Sequence, residues 1–180
     1  YVGVDVFFVI SGFLMTQMIC TRLAQKKFSL ADFYAARARR IVPALAALVM
    51  LLLAAGYFYL PPLDYKLFGW HALSAVTFVS NIVFSHKGDY FDTSSQSKWL
   101  LHTWSLSVEW QFYLLLPLFL MGLQKFKKGK FLKQGMAAGF AFSLLLATIK
   151  TPLQPAENFF LLPTRSFELL AGGLVFLYAD

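Results

Sequence analysis

Six runs of apolar residues divide the chain, and each is about as long as a helix that crosses a bilayer. The runs are Val2–Ile19, Ile41–Leu60, Leu67–Phe84, Trp104–Leu123, Leu132–Ile149 and Phe159–Tyr178. A transmembrane β-barrel would instead show alternating segments of about ten residues, and the sequence has none. The pattern predicts an all-α, multi-pass transmembrane helical bundle, with about five to six spans in this chain.

The composition agrees with a membrane protein. Of the 180 residues, 58% are hydrophobic and only 14% are charged, whereas a soluble domain carries about 25% charged residues. The single cysteine, Cys20, excludes a disulfide within the chain. His71, His86 and His102 are far apart and no Cys/His cluster exists, so we expect no metal site.

Two connecting segments carry much of the net charge of +7. Residues 21–40 hold Arg22, Lys26, Lys27, Arg37, Arg39 and Arg40 against one acid, Asp32. Residues 124–133 hold Lys125, Lys127, Lys128, Lys130 and Lys133 and no acid. Lys and Arg beside apolar spans mark the cytoplasmic side of a membrane, so the charge needs no nucleic-acid partner.

The two basic segments raise a problem of parity. Both lie on the cytoplasmic side only if an even number of crossings separates them, yet three apolar runs lie between them. The Leu67–Phe84 run is the most polar, since it contains His71, Ser74, Thr77, Ser80 and Asn81. Either this run is re-entrant or interfacial, or it spans and the second basic segment breaks the rule. The sequence leaves both possibilities open.

Charged side chains inside apolar helices are costly and are functional candidates by default. On a helix, Asp5 shares one face with Gly12 and Thr16, and Ser11-Gly12 allows a neighbouring backbone to approach closely. Asp5 either lines a polar cleft or caps and solvates the start of a helix. Spacing alone does not separate these two readings.

Further along the chain, His102, Ser105 and Glu109 fall on one stripe if a helix begins near His102. A histidine beside a carboxylate is a common acid/base arrangement. The competing reading is a buried polar network that fixes helix packing. His102 and Glu109 are therefore the catalytic candidates within this chain.

Two more pairs have charges at helical spacing. Arg165 and Glu168 share a face with Gly172 and can pair with each other, or they can clamp a polar substrate at the entrance of a span. Arg37 and Arg40 lie one turn apart, and guanidinium groups match phosphate geometry. The alternative for the arginines is contact with lipid phosphates.

Four segments together resemble the acyltransferase-3 family of bacterial multi-pass membrane acyltransferases. They are YVGVDVFFVISGFLMT, FYAARARRIVPAL, LLHTWSLSVEWQFYLLLPL and FFLLPTRSFELLAGGL, and they occur in the same order over most of the chain. The segment LLPTRSFELL particularly resembles the subgroup fused to an extracytoplasmic SGNH hydrolase-like domain, as in O-antigen and peptidoglycan acetylases.

The resemblance implies transfer of an acyl group, acetyl in the first instance, from acyl-CoA to a hydroxyl of a cell-surface carbohydrate. The acceptor would be lipopolysaccharide O-antigen, peptidoglycan, exopolysaccharide or a lipid-linked glycan. Arg37 and Arg40 match the family's paired-arginine motif and would bind the phosphates of coenzyme A. The transfer path would be lined by Asp5, Ser11, Glu109, Arg165 and Glu168. The resemblance implies no bound cofactor and a location in the bacterial inner membrane, in contact with lipid.

Two departures from the family pattern qualify these expectations. The family's first span carries an arginine and a histidine thought to be catalytic, and both are expected upstream of residue 1. We therefore interpret residues 1–180 as a partial transmembrane domain that lacks the first span, a C-terminal part and the SGNH domain, and is inactive alone. Trp110 stands where the family usually has a second glutamate. The alternative functions are a transporter or flippase of polar lipid-linked sugars, or an inactive truncated fragment.

Overall fold

The computed structural model describes residues 2–86, 99–124 and 129–179, without the side chains of residues 129, 130 and 156. In this part of the chain all regular structure is helical, which confirms the predicted all-α class. The helices are α1 (Val2–Ala24), α2 (Leu30–Tyr59), α3 (Pro62–Val76), α4 (Ser80–Ser85), α5 (Thr103–Gln124), α6 (Gly129–Lys150), α7 (Pro155–Phe160) and α8 (Leu162–Ala179).

Four of these helices are long and apolar enough to cross a membrane: α1, α2, α5 and residues Phe131–Lys150 of α6. Large apolar side chains cover their outward faces, for example Leu14, Met50 and Leu115. In water such a surface would cause aggregation, whereas in a bilayer it contacts lipid tails. The protein is therefore a multi-pass membrane protein.

Two predicted runs differ from the helices that form. The second run was expected to start at Ile41, but α2 already begins at Leu30, where Ser29 Oγ accepts a hydrogen bond of 3.3 Å from the Asp32 backbone N–H. The predicted run Phe159–Tyr178 is broken at Leu161 into α7 and α8. Pro163 lies in the first turn of α8, where the missing N–H costs little.

The long helices alternate in direction. Near the start of α1, Phe8 contacts Trp104 at the start of α5, with ring centroids 6.2 Å apart. Asp5 pairs with Arg165 at the start of α8. Consequently α1, α5 and α8 run in the same direction, and α2 and α6 run back. We call one end of the bundle the mouth end; Asp5, Trp104 and Arg165 lie there. We call the opposite end the basic end, because it carries Arg22, Lys26, Lys27 and Lys133.

The Leu67–Phe84 run is not a single span. It forms α3 and α4, and the chain reverses between them at Thr77–Val79. The ring of His71 in α3 lies 5.1 Å from the ring of Phe84 in α4, so the second helix returns beside the first. Phe84 also contacts Phe160 of α7, with centroids 6.3 Å apart, which places the return at the mouth end. The run is thus a re-entrant helical hairpin.

This hairpin resolves the parity problem. α2 reaches the mouth end, α3 and α4 enter and leave there, and α5 starts there. Hence α1 ends, α2 begins, α5 ends and α6 begins all at the basic end. Both basic segments flank that end, although Lys125, Lys127, Lys128 and the side chain of Lys130 lie outside the described residues.

The tightest packing joins α1 and α8. A methyl group added at Gly12 would lie 1.8 Å from the Leu169 carbonyl oxygen, and one at Gly172 would lie 1.8 Å from the Val9 carbonyl oxygen. Backbone therefore meets backbone, as predicted for Ser11-Gly12. This contact holds α1 against α8, and Asp5 of α1 lies beside Arg165 of α8.

Candidate functional site

The two arginines lie on α2, seven and ten residues after its start at the basic end, and meet different neighbours. Arg37 is half-buried, with Nη2 3.8 Å from Met18 Sδ and its guanidinium 6.0 Å from the centre of the Phe33 ring. Its Nε is buried without a hydrogen-bond partner. Arg40 is exposed and lines a cavity between α2 and α5. A free guanidinium N–H inside a bundle is a ready donor for an anionic ligand.

The cavity beside Arg40 has a volume of about 510 Å³. Arg40, His102 and Thr103 are the polar residues of its wall, and Trp99 and aliphatic side chains complete the lining. Ligand pockets commonly have about 300–1,000 Å³, mostly apolar walls and a few placed polar groups. The cavity therefore has the size and the lining for the flexible arm of a cofactor-sized ligand.

The predicted stripe of His102, Ser105 and Glu109 does not form as one site. α5 begins at Thr103, so His102 precedes the helix, and helical spacing does not apply to it. His102 is exposed at the cavity, whereas Glu109 is 5% exposed and bonded elsewhere. Ser105 Oγ donates to the His102 carbonyl oxygen at 3.1 Å. The structure therefore separates the two catalytic candidates.

Glu109 is the centre of a buried hydrogen-bonded cluster. Its Oε1 accepts a hydrogen bond of 2.6 Å from Ser11 Oγ of α1, and the Tyr113 hydroxyl donates to the same oxygen. Tyr113 was not among the predicted residues. Its position four residues after Glu109 is the signal that could have identified it.

The third cluster lies at the mouth end and brings together three predicted residues. Arg165 Nη1 is 3.3 Å from Asp5 Oδ1 and 2.5 Å from Glu168 Oε1. Arg165 Nε also donates to the Phe159 carbonyl oxygen at 3.0 Å. The predicted pairing of Arg165 with Glu168 is therefore present, and Asp5 joins it. Asp5 faces the bundle rather than only capping its own helix.

These groups follow one another along α1. Asp5 meets Arg165, Ser11 meets Glu109, and Met18 meets Arg37. With a rise of about 1.5 Å per residue, they span roughly 20 Å of the helix axis. We call this series the polar line. It connects the mouth end to the arginines through the interior of the bundle.

A further polar contact holds the re-entrant hairpin against α5. Gln111 Nε2 donates to the Phe78 carbonyl oxygen and to Asn81 Oδ1, each at 2.9 Å. Phe78 has a positive φ of 56°, which is unusual for a bulky residue and costs free energy. Its ring stacks on Trp110 at 4.5 Å. Trp110, the departure from the family pattern, therefore supports the tip of the hairpin.

Comparisons with known proteins agree with these features. A family model described as an acyltransferase domain matches residues 1–180. An uncharacterized protein of Haemophilus influenzae is 37% identical over 185 residues, covering 97% of this chain and 74% of that protein. Peptidoglycan O-acetyltransferase OatA of Listeria monocytogenes is 32% identical, covering 99% of this chain and 29% of its own length.

The putative peptidoglycan O-acetyltransferase YrhL of Bacillus subtilis is 30% identical and covers 96% of this chain and 28% of its own length. The chain thus spans less than a third of these two named relatives. No solved structure matches the chain at a significant level.

Proposed function

Because the chain belongs to the acyltransferase-3 family, whose model matches residues 1–180, we propose that the full-length protein is an integral-membrane O-acyltransferase. It transfers an acyl group, acetyl by analogy with its relatives, to a hydroxyl of a cell-surface carbohydrate. The observation that carries this proposal is the polar line, because it places charged and hydrogen-bonding side chains at three levels inside the bundle, from Asp5 through Ser11 to Arg37. Such groups inside a membrane are kept for function.

The donor in this proposal is acyl-CoA, which binds at the basic end. The positive-inside rule orients this end to the cytoplasm, where acyl-CoA is available. The unpartnered Arg37 Nε and the exposed Arg40 guanidinium supply donors for phosphate oxygens. The cavity between Arg40 and His102 accommodates the pantetheine arm and directs the thioester toward the mouth end. The membrane is the bacterial inner membrane.

The acceptor is a glycan at the mouth end, outside the cytoplasm. The names of two relatives favour peptidoglycan, and O-antigen, exopolysaccharide or a lipid-linked precursor offer the same hydroxyl chemistry. The general base in this proposal is a histidine, as the family resemblance implies.

The test uses the full-length protein in lipid nanodiscs with acetyl-CoA and a glycan acceptor. Free CoA and acetylated glycan should appear in equal amounts, measured with a thiol reagent and by mass spectrometry. A transporter or flippase would move glycan without thiol release. Glycan translocation in proteoliposomes with no free CoA would therefore overturn the proposal.

Arg40 offers a direct test of the donor site. Arg40→Ala should raise the KM for acetyl-CoA about tenfold or more, because one charge-assisted hydrogen bond to phosphate is lost. Arg40→Lys should raise this KM less, because lysine keeps the positive charge but lacks the planar guanidinium that binds two phosphate oxygens. Arg22→Ala removes the same charge from the basic end outside the cavity and serves as the control. Equal and negligible effects in all three variants would leave Arg40 as a contact for lipid phosphate.

A further inference from the structure

We propose that Asp5, Arg165 and Glu168 form the binding site for the acceptor sugar, and that their net negative charge selects an uncharged or amino-bearing ring over a ring that carries a carboxylate. The inference rests on the proposed function and assigns the acceptor to one end of the polar line. It goes beyond the expectations that these residues line a path or clamp a polar substrate, because it assigns them the acceptor sugar and gives each of them a task in its recognition.

The first observation is an incomplete hydrogen-bond set on Glu168. Its side chain is 6% exposed, and Oε1 is bound by Arg165 Nη1. Its other oxygen, Oε2, is buried and has no hydrogen-bond partner. A carboxylate accepts several hydrogen bonds, and an unpaired polar atom in an interior is costly. An oxygen kept in this condition is suited to accept a hydrogen bond from a ligand hydroxyl.

The second observation is the imbalance of charge. One guanidinium faces two carboxylates, so the cluster carries a net negative charge when all three groups are ionised. In a medium of low dielectric constant this charge acts strongly on a nearby ligand. It repels a carboxylate on the sugar and tolerates hydroxyl or ammonium groups. The cluster therefore discriminates among acceptors by charge.

The third observation is the rigid mounting of Arg165. Its guanidinium carbon lies 4.7 Å from the centre of the Phe159 ring and 5.8 Å from that of Trp104. Cation–π contacts of this kind are favourable, and the Phe159 carbonyl oxygen holds Nε. Arg165 consequently fixes the orientation of Glu168, while the half-buried Phe159 provides an apolar wall for the face of a sugar ring.

The fourth observation gives the route of entry. Exposure of the side chains decreases from Asp5 at 44% through Arg165 at 15% to Glu168 at 6%. The contact from Arg165 to Asp5 is also longer, at 3.3 Å, than its contact to Glu168, at 2.5 Å. Asp5 is therefore the outer and weaker partner. A sugar entering from the mouth end displaces Asp5 from Arg165 and reaches the free oxygen of Glu168 behind it.

The test measures acceptor and donor kinetics separately, with full-length protein in nanodiscs and acetyl-CoA. The acceptors are a neutral N-acetylglucosamine oligosaccharide and a uronic-acid oligosaccharide of the same length. Glu168→Gln should raise the KM for the neutral acceptor about tenfold or more, because a neutral amide replaces the carboxylate and the charge-assisted hydrogen bond to the sugar hydroxyl is lost. The KM for acetyl-CoA is measured in the same variant, and it should rise less than the KM for the acceptor.

Asp5→Asn tests the selection by charge at the most exposed of the three positions. It should lower the preference for the neutral over the anionic acceptor by several-fold, a change that a purely structural role of Asp5 would not produce. Glu157→Gln is the matched control, since it removes a negative charge from the neighbouring α7 outside the cluster.

The outcomes separate this inference from the proposed function. An unchanged acceptor KM in Glu168→Gln together with an unchanged acceptor preference in Asp5→Asn overturns the acceptor site. So does a raised KM for acetyl-CoA alone, which would assign the cluster to the donor route. If Glu168→Gln does not fold, Asp5→Asn decides. Failure of the unaltered protein to release CoA with any acceptor would refute the proposed function itself.

Discussion

Replacing Gly172 with alanine should destabilise the bundle strongly. The new methyl group would lie 1.8 Å from the Val9 carbonyl oxygen and 2.7 Å from the Phe13 backbone nitrogen. Since real contacts of a Cβ atom are longer than 3.0 Å, the axes of α1 and α8 must separate by more than about 1 Å. Backbone atoms cannot rotate away as a side chain can. We expect a loss of about 3 kcal/mol or more, at the upper end of overpacking effects.

Thermal unfolding of the full-length protein in detergent provides the assay. At about 2–4 °C per kcal/mol for a domain of this size, Gly172→Ala should lower Tm by roughly 6–12 °C. Gly122→Ala is the matched control, because no atom lies within 4 Å of its added methyl group. Gly122→Ala should leave Tm unchanged or raise it slightly. If Gly172→Ala unfolded within about 2 °C of the unaltered protein, the close approach of α1 and α8 would be refuted.

Two more substitutions test buried contacts. Ser11→Ala removes one hydrogen bond and should lower the free energy of unfolding by about 0.5–1.5 kcal/mol. Glu109→Ala leaves the hydroxyls of Ser11 and Tyr113 both without an acceptor, so its decrease in Tm should be several times that of Ser11→Ala. Equal decreases in Tm would contradict the buried cluster. Gln111→Ala removes the hydrogen bonds that hold the hairpin tip and should increase the rate of amide hydrogen exchange at residues 77–79. Gln17→Ala, on the exposed face of α1, should leave that rate unchanged. An unchanged rate in both variants would contradict the role of Gln111.

The predictable part of the fold depends on local pattern. Apolar runs of bilayer length identified the long helices, and i,i+3 spacing identified the pair of Arg165 and Glu168, because both signals arise within one segment. The start of α2 at Leu30 was missed, since a helix can continue past the apolar run into basic residues. The reversal at Thr77–Val79 was one of two possibilities that the sequence left open, because run length alone does not reveal where α3 ends.

The site was less predictable than the fold, because it depends on contacts between distant residues. Ser11 and Glu109 are 98 residues apart and Asp5 and Arg165 are 160 apart, and no local spacing specifies such pairs. His102 and Glu109 lie in different surroundings, because His102 lines the cavity one residue before α5 begins, whereas Glu109 bonds to Ser11 and Tyr113. Tyr113, by contrast, was within reach of the i,i+4 rule.

The interlock of Gly12 and Gly172 limits how the bundle can work. Where two backbones touch, neither helix can slide or rotate past the other without collision. α2 and α3, however, pack in a separate apolar cluster that includes Leu45, Val49 and Phe68. Any helix movement that admits a large ligand must therefore occur between that cluster and α5, while α1 and α8 keep their positions relative to each other.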